Sequence, residues 1–235
     1  MAPLKPRVIV ALDYPSLEDA MKLVDELGDL CEFYKVGSEL FVAAGPEAVR
    51  TVRSLGKEVF LDLKLHDIPN TVRHAARACA ALGASLITVH ASGGGEMIRA
   101  AVEGSGSSCA VLVVTVLTSL DREELGEIWA RPVDHVPAEV LRLAGLARAA
   151  GAAGIVCAGS EVTAVKNSFG EMFRVVVPGV RFAGATRDDQ SRVVTPAAAA
   201  RAGADFLVVG RAVTGASDPR GALQRVLAEM EEGCR

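Results

Sequence analysis

Apolar residues in this 235-residue chain gather in short β-branched runs that recur along its whole length. Eight stand out: "RVIVALD", "FYKVGSEL", "EVFLDLK", "SLITVHA", "AVLVVTVLT", "GIVCAG", "RVVVPGV" and "DFLVVGR". Between them the spacing of apolar positions becomes helical, in segments such as "SLEDAMKLVDEL", "NTVRHAARACAALG" and "TPAAAARAGA". The strand runs are continuously apolar instead of alternating, so both of their faces are buried, as in parallel sheets covered by helices. Strand alternating with helix eight times predicts an α/β fold: a TIM (β/α)8 barrel, a single domain over residues 1–235. A doubly wound open sheet competes, but "ALDYPS" stands where its G-x-G-x-x-G fingerprint would follow the first strand. Helix starts are marked by Ser16, by Asn70, and by Thr195 with Pro196 at a first helical position.

Composition narrows the class. Half of the residues are hydrophobic and 23% are charged, as in globular enzymes. With only seven Phe, two Tyr and one Trp, the core rests on Val, Leu, Ile and Ala. The net charge of −4 provides no basic footprint for nucleic acid, so an anionic ligand must be held by a few well-placed cations. The five cysteines (Cys31, Cys79, Cys109, Cys157 and Cys234) are odd in number, widely spaced and mostly set among aliphatics, with no CxxC pair. They are read as reduced core thiols of a cytoplasmic protein. The opening "MAPLKPRVIVALD" lacks a signal-peptide layout, and the longest apolar stretch, "AVLVVTVL", is too short to span a bilayer.

Active sites of such barrels lie at the carboxyl ends of the strands. The polar residues there are Asp13, Lys35, Asp62 with Lys64, His90, Thr118 with Ser119, Arg181 and Arg211. A charge at a strand end is more often a solvated rim group than a catalyst. The stretch "LDLKLHDIPNT" departs from that pattern. Strand alternation turns Asp62 and Lys64 the same way, toward the barrel mouth, while Leu61, Leu63 and Leu65 turn away. A simple ion pair closing the barrel would account for those two residues. It accounts poorly for Lys35 and Asp67, with which they make two cations and two anions for an alternating array.

"DLKLHDIPNT" resembles the D-x-K-x-x-D signature of the orotidine 5′-monophosphate decarboxylase family. The similarity continues through "ALDYPS", "YKVGSELF", "TVHASGG", "VLTS", "VVPGVR", "DDQSRVVTP" and "GADFLVVGRAVTGASDP" in that family's order. The resemblance implies the same barrel, a homodimer with shared active sites, no metal and no organic cofactor. It implies a charged array of Lys35, Asp62, Lys64 and Asp67, with Lys64 as proton donor. Asp67, Ile68 and Thr71 are expected to enter the partner subunit's site. Arg181 and Gln190 are expected to close on the substrate phosphate beside Gly210 and Arg211, with Thr118 at the pyrimidine and Asp13 with Lys35 at the ribose. The long segment after the seventh strand reads as a lid or binding loop.

Two other functions could use the same barrel. A magnesium-dependent sugar-phosphate decarboxylase of the same superfamily would carry an acidic metal ligand where this chain has Lys35. A catalytically silent nucleotide-binding barrel would have lost Asp62 or Lys64, and both are present. His66, His74 and His135 show no metal-ligand spacing, and His90 reads as a packing or supporting residue. "SGGGE" reads as a turn, since it lacks the lysine and spacing of a P-loop. Departures from the family pattern fall at Ala212 and in "FAGATR", away from the chemical groups.

Overall fold

The computed structural model describes residues 6–184 and 192–234. Eight parallel strands close on themselves in sequence order: β1 (Arg7–Ala11), β2 (Phe33–Gly37), β3 (Glu58–Leu65), β4 (Leu86–His90), β5 (Ala110–Val114), β6 (Gly154–Val156), β7 (Arg174–Val177) and β8 (Phe206–Val209). β1 completes the circle against β8. The helices are α1 (Leu17–Leu27), α2 (Ser38–Ala44), α3 (Pro46–Ser54), α4 (Pro69–Ala81), α5 (Gly94–Ser105), α6 (Arg122–Trp129), α7 (Val136–Ala149), α8 (Val162–Phe169), α9 (Pro196–Arg201), α10 (Arg211–Thr214) and α11 (Pro219–Gly233). The fold is the single-domain (β/α)8 barrel that the alternation of runs predicts.

Strand alternation splits the core into two layers. Ile9, Ala11, Phe33, Phe60, Leu86, Leu112, Val176, Phe206 and Val208 fill the barrel interior. The alternate residues, among them Val10, Val36, Leu61, Ile87 and Leu207, pack outward against the helices. Followed toward the strand ends, the inward series turns polar. It passes from Ala11 to Asp13, from Phe33 to Lys35, from Phe60 to Asp62 and from Leu86 to Thr88.

Ser16 caps α1 by accepting the Asp19 N–H at 3.1 Å. Thr195 caps α9 through the Ala198 N–H, with Pro196 at its first position. The expected start at Asn70 is displaced: α4 begins with Pro69 at its first turn and Ile68 at the cap. Proline's fixed φ begins the helix there without a side-chain cap. Four cysteines are buried free thiols, but Cys234 is exposed and does not belong to the core as expected. Among the described residues, no helix is long and apolar enough to cross a membrane.

Candidate active site

The barrel mouth opens into a cavity of about 490 Å³. Its floor is apolar, built from Ala11, Phe60, Val114, Val156, Val176 and Val208, so a flat ring can be desolvated there. Charges stand along one wall in series. Lys35 Nζ donates to Asp13 Oδ1 at 2.7 Å and lies 3.8 Å from Asp62 Oδ2. Lys64 Nζ donates to that same Asp62 oxygen at 2.8 Å. The order Asp13, Lys35, Asp62, Lys64 alternates in sign, and Lys35 and Asp62 are buried.

Alternation alone does not bring Lys64 to this wall. Leu61 pairs with Ile87 of β4 but Leu65 pairs with Val89, so β3 bulges between them. Lys64 takes up the irregularity in the left-handed region, at φ 50°. For a residue with a Cβ this conformation costs about 1–2 kcal/mol, and such strain clusters at functional positions. Thr88 holds the bulge in place. Its hydroxyl oxygen accepts the Lys64 N–H at 2.9 Å, and the hydroxyl donates to Asp62 Oδ1 at 2.8 Å.

Burial pushes the Asp62 carboxyl upward, but the charges of Lys64 and Lys35 and the hydrogen bonds from Lys64 and Thr88 outweigh it. The net result is a carboxyl held below its ordinary range and ionised at neutral pH. His90 is pushed below 6.5 by burial first and by His66 and Lys64 next, against the opposing pull of Asp62. Its ring lies 5.6 Å from that of His66. A neutral His90 adds no positive charge beside Lys64.

Opposite the charged wall, Thr118 and Ser119 line the cavity from the β5–α6 loop. Arg181, buried after β7, and Gly210 with Arg211, after β8, complete its rim. Gly210 is the N-cap of the short helix α10, which presents backbone N–H groups beside Arg211. Asp67, Ile68 and Thr71 do not reach this cavity. They are exposed, with Ile68 at 67%, and Asp67 turns back to accept its neighbour's N–H at 2.6 Å. Within one chain, Asp13 and not Asp67 supplies the second anion of the array. Gln190 lies outside the described residues.

Three residues of the site are not apparent from the sequence reading. Thr88 sits on the inward phase of "LITVH", and a hydroxyl facing a barrel interior was a signal that could have found it. Gly37 carried no such signal. A Cβ on it would meet Lys35 Nζ at 2.7 Å and Asp13 Oδ1 at 2.8 Å, so a side chain there would displace that ion pair. Glu39 also lines the cavity and was not anticipated. Among the described residues, no group of three or more His, Cys, Asp or Glu side chains is placed to hold a metal ion.

A (β/α)8 barrel with two lysines and two aspartates in series at its mouth, facing arginines across an apolar floor, has the anatomy of a barrel enzyme acting on an anionic substrate. The family model described as Orotidine 5'-phosphate decarboxylase / HUMPS family matches residues 6–226, and the chain belongs to that family. It is 53% identical to an orotidine 5'-phosphate decarboxylase of Anaeromyxobacter dehalogenans, over 95% of this chain and 98% of that one. The orotidine 5'-phosphate decarboxylase of Moorella thermoacetica is 48% identical, over 97% and 93% of the two chains. A crystal structure of orotidine 5'-phosphate decarboxylase from Lactobacillus acidophilus superposes with a TM-score of 0.85 at 39% identity, covering 96% of this chain and 99% of that one.

Proposed function

We propose that the chain decarboxylates orotidine 5′-monophosphate to uridine 5′-monophosphate and carbon dioxide, the last step of UMP synthesis. The observation that carries this reading is the Asp62–Lys64 pair, braced by Lys35 and Thr88 over an apolar floor. Loss of carbon dioxide from C6 of the orotate ring leaves a carbanion whose lone pair lies in the ring plane, where the ring's π system cannot take the charge. A fixed ammonium is the available stabiliser and then the acid. Lys64 fills both roles: its Nζ is anchored to Asp62, and its side chain lines the cavity.

The substrate carboxylate would sit beside ionised Asp62. Two unit charges 4 Å apart at an effective dielectric of 20 interact by about 4 kcal/mol, and this repulsion ends when carbon dioxide departs. Carbanion stabilisation by Lys64 carries the greater weight, because preorganised charge acts on the transition state directly. Arg211, the N-terminus of α10 and Arg181 would hold the phosphate, joined by Gln190. Thr118 would meet the pyrimidine edge, and Asp13 with Lys35 the ribose hydroxyls. Phosphate binding, remote from C6, would supply interaction energy for ordering the charged wall around the ring.

The family also covers a second chemistry, in which magnesium assists sugar-phosphate reactions. Lys35 opposes that reading, since it places an ammonium where a carboxylate ligand would be required, and both Asp62 oxygens already accept hydrogen bonds. We further propose a cytoplasmic homodimer in which Asp67, Ile68 and Thr71 complete the neighbouring site. Their exposure fits that role, as does the apolar surface of Ile68.

The test follows orotidine 5′-monophosphate absorbance with excess chelator present, for the unaltered chain and for Lys64→Ala. Turnover by the former and none by the latter is expected. No turnover, or turnover abolished by the chelator, would sink the metal-free decarboxylase reading. Mixing Lys64→Ala with Asp67→Ala chains should restore activity in mixed dimers if the sites are shared.

A further inference from the structure

A second buried ion pair lies behind the cavity wall, unused by the chemistry above. Glu161 is 1% exposed and ends the short turn Gly159–Glu161 that follows β6. Its Oε1 accepts Arg192 Nη1 at 2.7 Å and the Ser160 hydroxyl at 2.8 Å, while Oε2 accepts the Ala158 N–H at 2.7 Å. The other terminal nitrogen of Arg192 reaches the carbonyls of Leu117 at 3.2 Å and Val116 at 3.4 Å. Those two residues lead directly into Thr118.

Arg192 is joined as closely to the phosphate side. Two residues further on, Val194 bridges Val180. Its carbonyl accepts the Arg181 N–H at 3.0 Å, and its N–H donates to the Gly179 carbonyl at 3.3 Å. Gly159 packs so tightly on Val194 that a Cβ there would stand 2.7 Å from it. One guanidinium therefore ties together the loops after β5, β6 and β7. The first carries Thr118 and the last carries Arg181.

A role confined to stability explains this arrangement poorly. Desolvating a carboxylate and a guanidinium costs several kcal/mol, and well-packed apolar residues of the same volume often stabilise as much. What an apolar pair cannot do is fix the relative position of three loops through directed bonds to a carboxylate and two carbonyls. Arg192 does this with two terminal nitrogens, Nη1 on the carboxylate and Nη2 on the carbonyls, a spread that a lysine's single nitrogen lacks.

We propose that Glu161 and Arg192 are positioning residues of the reaction, holding the Thr118 loop in register with Arg181 so that pyrimidine and phosphate are gripped as one unit. This rests on the decarboxylase reading above. Arg192 touches no substrate in this scheme. It acts through the backbone of its neighbours.

The experiment compares decarboxylation of orotidine 5′-monophosphate with that of orotidine, which lacks the phosphate. The central comparison uses the unaltered chain, Thr118→Ala, Arg192→Met and the double variant, with Glu161→Gln and Arg192→Lys each tested with and without Thr118→Ala. In the unaltered background Thr118→Ala should lower kcat/KM about tenfold more for the nucleotide than for the nucleoside. With Arg192→Met that difference should shrink to within about twofold. Glu161→Gln, nearly the same shape, should have the same effect and serves if Arg192→Met does not fold; Arg192→Lys should not restore the difference. A difference that survives these substitutions, even with a lowered unfolding temperature, overturns the proposal and leaves the pair a stability role alone. An unaltered chain in which no difference exists overturns it too. An unaltered chain that never decarboxylates the nucleotide overturns the decarboxylase reading itself.

Discussion

Two lysine–aspartate pairs, Lys64–Asp62 and Lys166–Asp205, stand at opposite ends of the barrel, and they are completed differently. At the floor, Lys166 of α8 donates to Asp205 Oδ2 at 2.7 Å, to the Glu171 carbonyl at 3.1 Å and to the Phe173 carbonyl at 3.3 Å. Three protons meet three acceptors, and Asp205 in turn accepts the Val175 N–H at 2.6 Å. At the mouth, Lys64 Nζ makes one such bond among the described residues, to Asp62, and its side chain is 37% exposed. Lys166 therefore keeps no donor for a ligand, and its bonds hold α8 against the start of β7 and β8. A pair with donors left over, in a strained backbone and facing a cavity, is arranged for a group that is not part of the chain.

The contrast breaks most readily at Lys64. Lys64→Ala should lower kcat by about 10⁴-fold or more, the combined scale of a lost general acid and a lost charge stabiliser, while leaving the urea unfolding midpoint nearly in place. A large fall in stability with activity retained would mean that the two ends of the barrel do the same work. Lys166→Met is the mirror experiment. It strands Asp205 and should destabilise the fold by about 3 kcal/mol, with kcat of the folded fraction unchanged.

A finer test is Gly37→Ala. The new methyl collides only with the ends of Lys35 and Asp13, which can move. Unfolding free energy should therefore change by less than about 1 kcal/mol, while kcat/KM falls on the order of 10- to 100-fold from misplacement of the array. Equal and small effects on both would show that the Asp13–Lys35 bond is not needed at the mouth.

The smallest effect concerns pH. His90 has a folded pKa held below 6.5, so below that pH the unfolded chain binds a proton that the folded chain does not. Its contribution to stability is complete above about pH 6.5 and declines as pH falls toward the folded value. His90→Gln should flatten the unfolding profile in that window. Asp62 acts lower down: its contribution is present above 3.8 and is lost as pH falls through its lower folded value. A profile through pH 6 that is the same in His90→Gln and the unaltered chain would remove His90 from the account.

Much of this arrangement was legible in the chain. Eight apolar runs marked all eight strands, and the Asp62, Lys64 and Lys35 cluster was found because charged residues interrupted runs that should have been aliphatic. Thr118, Arg181, Gly210 and Arg211 followed from their places at strand ends. The sequence puts Asp67 just past the end of β3, and the resemblance assigns it to the partner subunit's site; within one chain it is exposed, and Asp13 is the anion beside Lys35. Asn70 has the residue type of a cap, but Pro69 and Ile68 begin the helix.

Periodicity and residue type by themselves determined the barrel, the strand ends that bear the chemistry, and the presence of charges in an otherwise aliphatic β3. Both are local properties, readable within a few positions of one another. Only the tertiary structure decided that Asp13 pairs with Lys35, that Thr88 fastens Asp62 and Lys64 across two strands, that Gly37 leaves room for them, and that Arg192 reaches Glu161 and the carbonyls before Thr118. Each of these contacts joins different strands or loops. Their meeting depends on the stagger at which the strands close the barrel and on one bulge in β3, and neither leaves a period in the sequence.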